Sequence, residues 1–166
     1  MPTLAQSQAN AAEDHALVIG ISSYPKLGRD YTPDDLEGPG NDARAVTQWL
    51  VQEAGLQCTN VTCILSDGRG SCEVTDGSFS ETYGLEDMRP NKFDIEGHID
   101  DYATRAMMAP DYDYRIGRRL WIYIAGHGFR STQWASEICI LPANSFHHPF
   151  PRNFCVTSWV NYLSLS

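Results

Sequence analysis

The sequence predicts an α/β fold, a three-layer sandwich with helices on both faces of a mostly parallel sheet. Three observations predict it. Short apolar runs at His15–Ile21 (HALVIGI), Val61–Leu65 (VTCIL) and Leu120–Ala125 (LWIYIA) are rich in β-branched and aromatic residues and too short for most helices, as strands buried on both faces are. Segments with helical spacing alternate with them, an order that implies parallel strands joined by helical crossovers. No internal repeat interrupts that order.

Each element has its own signal. After the first strand, Ser22–Gly40 is a loop broken by Pro25, Pro33 and Pro39. Asn41 or Asp42 then caps a helix running to about Ala54, with Ala43, Val46, Trp49 and Leu50 on one face and Gly55 as its stop. The second strand is Val61–Leu65. Residues 66–90 hold four glycines and little periodicity and read as an expanded loop overhanging the sheet's rim. Asn91–Met108 reads as a helix on the spacing of Ile95, Ile99, Tyr102, Ala103 and Ala106. The Leu120–Ala125 strand follows, then a strand at Glu137–Leu141 and a short helix from Thr157 to Leu163, capped by Thr157 or Ser158.

Bulk properties narrow the function. At 166 residues the chain is one domain, 15–166, behind a flexible, polar tail at 1–14 that lacks the charge and apolar core of an export signal. A net charge of −9 disfavours nucleic acid as a partner. No apolar run reaches the length of a membrane span. The five cysteines (Cys58, Cys63, Cys72, Cys139, Cys155) lack paired metal-ligand spacing and read as reduced, structural thiols of a cytoplasmic protein. Arg115, Arg118 and Arg119 read as a solvated entry to the third strand.

The candidate site is Gly126-His127-Gly128, where that strand ends in an imidazole between two glycines. Ligand crevices of parallel sheets lie at the strands' carboxyl ends. Three segments together resemble the caspase-like cysteine peptidases, in particular metacaspases and bacterial caspase-domain proteins. They are HALVIGISSYPKLG (His15–Gly28), LEGPGNDARAVTQWL (Leu36–Leu50) and RRLWIYIAGHG (Arg118–Gly128). The segment CILPANS (Cys139–Ser145) is similar to the family's next strand, with Asn144 where an aspartate often stands.

The resemblance implies a caspase-like fold, a polypeptide substrate, and a cysteine–histidine endopeptidase. It assigns His127 as the catalytic histidine and the Gly128 N–H as an oxyanion donor. It assigns Asp42 to the substrate pocket, where a carboxylate favours Arg or Lys at P1; the same Asp42 is also an ordinary first-turn acid suited to the helix dipole. Pro39 replaces a small cysteine common in the family's motif.

No nucleophile accompanies this histidine. Caspases carry their cysteine roughly 50 residues after it, which from His127 falls near residue 177. Cys155 lies among apolar neighbours before a helix, Cys139 lies inside a strand, and the other three precede His127. The expectation is therefore the histidine-bearing part of a caspase-like domain, incomplete at its carboxyl end. A complementary small-subunit segment or caspase-like partner would complete it. The alternative is a catalytically inactive regulatory or interaction module. No cofactor is implied. Some metacaspases are activated by Ca²⁺, and acids such as Asp67, Asp76, Glu81 and Asp87 suit that ion in type but not in spacing. Trp134, Phe146 and the His147–His148 pair are minor candidates for substrate or metal contact.

Overall fold

A computed structural model describes residues 11–27, 36–66, 71–77, 79–84, 87–108, 115–130, 137–146 and 154–165. Trp134, His147, His148 and Asp67 lie outside the described residues. Its elements in chain order are β1 (His15–Ile21), α1 (Pro39–Gln52), β2 (Val61–Ser66), β3 (Ser71–Asp76), β4 (Phe79–Gly84), α2 (Lys92–Met107), β5 (Leu120–Ala125), β6 (Gly128–Arg130), β7 (Ile138–Ile140), β8 (Phe154–Cys155) and α3 (Val156–Leu165).

β1 is the central strand because it is apolar on both sides. It pairs in parallel with β2 and with β5, so that Ala16 stands opposite both Val61 and Trp121. Successive side chains point to opposite faces. Ala16 and Val18 join Ala43, Leu50, Val61, Cys63 and Leu65 under α1. Leu17, Ile19 and Ile21 join Ile64 and, from α2, Ile95, Ile99 and Tyr102 on the other face, with Trp159 and Leu163 of α3 at its margin. Each fully buried aliphatic side chain of this kind contributes about 1.5–3 kcal/mol. The layers are α1, sheet, then α2 with α3, as the α/β sandwich predicts.

Several expectations need correction. Residues 66–90 are not simply a loop: β3 and β4 form an antiparallel hairpin that extends the sheet beside β2, giving the order β4-β3-β2-β1-β5. The hairpin runs back along β2; residues 67–70 and 85–86, at its rim end, lie outside the described residues. Its turn signal is Asp76-Gly77, with Gly77 at φ +60°, a conformation that glycine adopts without steric cost. β5 is not buried on both faces; it ends the sheet, and Ile122 is exposed. β7 joins β6 and β8 in a separate antiparallel sheet of three short strands.

The caps differ too. α1 starts at Pro39 after Gly38, without a side-chain cap, and Asp42 sits in its first turn; proline at this position gives up an N–H that the helix would not use. Thr157 does not cap α3 but accepts a hydrogen bond from the Ile138 N–H at 2.9 Å. By contrast, α2 has a side-chain cap: Asn91 precedes it in a reciprocal capping box with Asp94.

Arg118 and Arg119 are not merely solvated. Both pair with Asp14, which is fully buried, so the end of the segment 1–14 is part of the fold and not a flexible tail. Arg119 Nε lies 2.8 Å and Arg118 Nε 3.2 Å from its carboxylate, and Trp121 Nε1 donates at 3.2 Å. Burial alone would raise the Asp14 pKa; the hydrogen bonds from Arg119, Arg118 and Trp121 outweigh it and hold the carboxyl below its ordinary value.

Candidate active site

Because β1, β2 and β5 are parallel, their carboxyl ends share one rim. That rim carries three fitted parts. The first is the turn after β5. Gly126 leaves no room for a side chain: a Cβ there would come within 2.6 Å of the Tyr24 hydroxyl and 3.3 Å of Ile21. The absence of that Cβ lets the buried Tyr24, just past β1, reach the main chain of β5's turn. The His127 N–H donates to the Tyr24 hydroxyl at 2.7 Å, and the two rings lie 4.8 Å apart. The imidazole is half-buried, with Nε2 enclosed.

The second part is β6, which leaves the rim immediately after His127. Gly128 is exposed and stands opposite Ile140, while the Leu141 N–H donates to the His127 carbonyl at 2.9 Å. The histidine's peptide is thus fastened on both sides, by Tyr24 from β1 and by the strand after it.

The third part is the start of α1. A Cβ on Gly20 would meet the Pro39 carbonyl oxygen at 2.5 Å and the Ala43 Cβ at 2.7 Å, so the helix rests directly on the strand. Ser22 ties the joint together. Its hydroxyl accepts from the Gly40 N–H at 3.0 Å, its N–H donates to the Ser66 carbonyl at 2.8 Å, and its carbonyl accepts from the Leu36 N–H at 2.7 Å. The hydroxyl of Ser66 accepts from the Ser23 N–H at 3.2 Å. Asp42 therefore belongs to the rim that bears His127. Its carboxylate is exposed, so an ion pair formed there would be screened by water.

Tyr24, Ser22 and Ser66 were not singled out from sequence. The available signal was their position, each at or just past the carboxyl end of an apolar strand.

Cys72, in β3, stands opposite Ser66 at the carboxyl end of β2; the other four cysteines lie elsewhere. Cys58 is exposed in the turn before β2, at the opposite rim. Cys63 is buried within β2, its sulfur 3.2 Å from the Thr47 hydroxyl. Cys139 and Cys155 face each other between β7 and β8. A groove of about 330 Å³ beside β5, lined by Tyr102, Ala106, Arg119, Ile122, Val160 and Leu163, is at the strand's amino end and away from His127.

This arrangement defines an α/β domain with a histidine presented at the sheet's rim between strand and glycine. The profile of the caspase domain matches residues 13–163, almost the entire chain, and the chain belongs to that family of peptidases. No curated protein and no solved structure matches it. Membership carries cysteine-peptidase chemistry on polypeptide substrates as the family function. Among the described residues, no helix is long and apolar enough to cross a membrane.

Proposed function

We propose that this chain supplies the histidine half of a cysteine endopeptidase that cleaves after Arg or Lys. A thiolate attacks the scissile carbonyl; the negative charge collects on the carbonyl oxygen, near the Gly128 N–H. His127 carries the thiol proton and delivers it to the departing amine, leaving a thioester that water then hydrolyses. With Nε2 enclosed, Nδ1 is the ring nitrogen assigned to this transfer. Asp42 attracts the basic P1 side chain. The observation that carries the reading is the anchoring of the His127 peptide by Tyr24 and Leu141 at the rim of the parallel sheet, because a proton shuttle needs a fixed imidazole.

The nucleophile comes from a complementary segment or partner. Support for this is the placement of Cys58, Cys63, Cys139 and Cys155, each engaged or located away from the histidine's turn; Cys72, opposite Ser66 at the rim, is tested by Cys72→Ser, which leaves the complemented activity intact. The test is cleavage of Arg-, Lys- and Asp-terminated reporter peptides. Assays use the chain alone and the chain co-expressed with a caspase-type strand carrying Asp-x-Cys. Activity only in the complemented sample, its loss in His127→Ala, and a fall in Arg over Asp preference in Asp42→Asn are expected. Equal cleavage after Asp and Arg sinks the Asp42 assignment, and activity surviving in His127→Ala sinks the whole reading. If folded, complemented protein has no activity, the inactive regulatory module is the better description.

A further inference from the structure

Cys139 and Cys155 are direct Cα partners across the antiparallel pair β7–β8. Directly opposed residues in such a pair have Cα atoms about 4.5–5.5 Å apart, inside the range that a disulfide spans. The two sulfurs lie within 4.8 Å of each other. Cys139 is buried, whereas Cys155 is half-buried and within reach of a small reagent. Ser158 also lies 3.2 Å from the Cys155 sulfur. Closing a bond here requires side-chain rotation and no movement of the strands.

We propose that Cys139 and Cys155 form a redox-active dithiol that closes to a cross-strand disulfide when exposed to a low-molecular-weight disulfide such as oxidised glutathione. The Cys155 sulfur, as thiolate, attacks one glutathione sulfur and releases one glutathione thiolate. Cys139 then loses its proton and attacks the Cys155 sulfur of the mixed disulfide, releasing the second glutathione. Two protein thiols are oxidised, one glutathione disulfide is reduced to two thiols, and the two protons pass to the released glutathiones.

The surroundings set the character of the bond. Burial, the nearby Cys155 and the charge of Glu137 push the Cys139 thiol up to about 11. A sulfur of high pKa leaves poorly, so the disulfide, once made, resists attack at Cys155. Its position links it to the rim. Cys139 stands opposite Phe129 of β6, two residues past His127, and the next residues of β7 hold Gly128 and the His127 carbonyl. Oxidation therefore fastens α3, which begins at Cys155's neighbour, to the strand that supports His127. The site exists whether or not His127 is catalytic.

The test uses the full chain in glutathione buffers of graded oxidised-to-reduced ratio, with chelator present, followed by alkylation and tryptic mapping. Cleavage after Arg130 and Arg152 leaves Cys139 alone in 131–152 and Cys155 alone in 153–166. A linked 131–152/153–166 pair, about 2 Da lighter than the sum of its reduced parts, is expected, with a thermal midpoint roughly 5 °C above the reduced form's. Cys58→Ser keeps the link, and Cys139→Ser loses it. Both peptides remaining alkylatable in oxidised glutathione, or linkage only through other cysteines, overturns the proposal on the unmutated chain. So does a parallel sample without chelator in which Zn²⁺ protects both thiols and the chelated sample forms no link; Glu137, also within 4.8 Å, would then complete a cation site.

Discussion

Tyr24 does two jobs with one side chain. Its ring fills the core at the end of β1, fully buried, and its hydroxyl accepts from the main chain of His127. Tyr24→Phe leaves the ring and removes the acceptor. It should cost about 1–2 kcal/mol in urea unfolding, with hydrogen exchange at the His127 amide rising more than in β1. Asp14 is the second buried polar anchor. Asp14→Asn weakens its hydrogen bonds to Arg118 and Arg119, whose side chains are themselves part-exposed, and should cost about 2–3 kcal/mol. His15, beside it, is held below its ordinary 6.5 by burial first and the charge of Arg105 second, with Asp14 opposing. Near that pH the unfolded chain binds a proton that the folded chain resists, so stability falls as pH drops through about 6.5. His15→Phe should flatten the decline in urea midpoint between about pH 7 and 5.5. None of these roles was legible in sequence. Arg118 and Arg119 stand more than a hundred positions from Asp14, and a strand entry rich in arginine reads the same whether solvated or paired.

Among elements, legibility follows the strength of the periodic signal. β1 and β2 are readable as short, continuous apolar runs, and α2 because Ile95, Ile99, Tyr102, Ala103 and Ala106 repeat with helical spacing. Asn91→Ala should lower stability by about 1 kcal/mol. The start of α1 differs from the Asn41/Asp42 cap its sequence suggests because its boundary is made by Pro39 and by contact with Gly20, neither of which is a side-chain cap. Gly20→Ala drives a methyl group against main-chain oxygen that cannot rotate away. A loss of about 1–3 kcal/mol is expected, read as a lower midpoint with unchanged denaturant slope. The β3–β4 hairpin escaped notice because Glu73, Thr75, Ser80, Glu81 and Thr82 give it little apolar content; its strands are an extension held by backbone pairing to β2, and only Asp76-Gly77 announced the turn. At the rim, His127 and Gly128 could be placed from the abrupt end of an apolar run, while Tyr24 and Ser22 could not, because nothing in a loop's composition says which strand end it crosses.

At the scale of the molecule, the sheet is finished unevenly. The β4 side ends in a polar hairpin, while the other side ends in β5, with Ile122 exposed and the exposed Val160 of α3 lining the same groove. Open apolar edges template further pairing, and the net charge of −9 opposes it by repulsion between copies. Self-association in sedimentation should therefore strengthen as salt is raised from about 0.05 to 0.5 M, because screening removes the repulsion and leaves the edge. Ile122→Lys, which sets a charge on that edge, should keep the chain monomeric across the range. A chain that stays monomeric at high salt without this substitution would show that the edge is not adhesive.

The geometry of that margin has a chemical corollary. Neighbouring strands lie about 4.8 Å apart, and a single residue, Gly126, separates the end of β5 from His127. A polypeptide that laid itself parallel to β5 and ended level with it would bring its own final residue beside the turn that carries His127. Recruiting a neighbour and arming the histidine would then be a single event, and a thiol at the tip of the incoming segment would need no separate step to find its base.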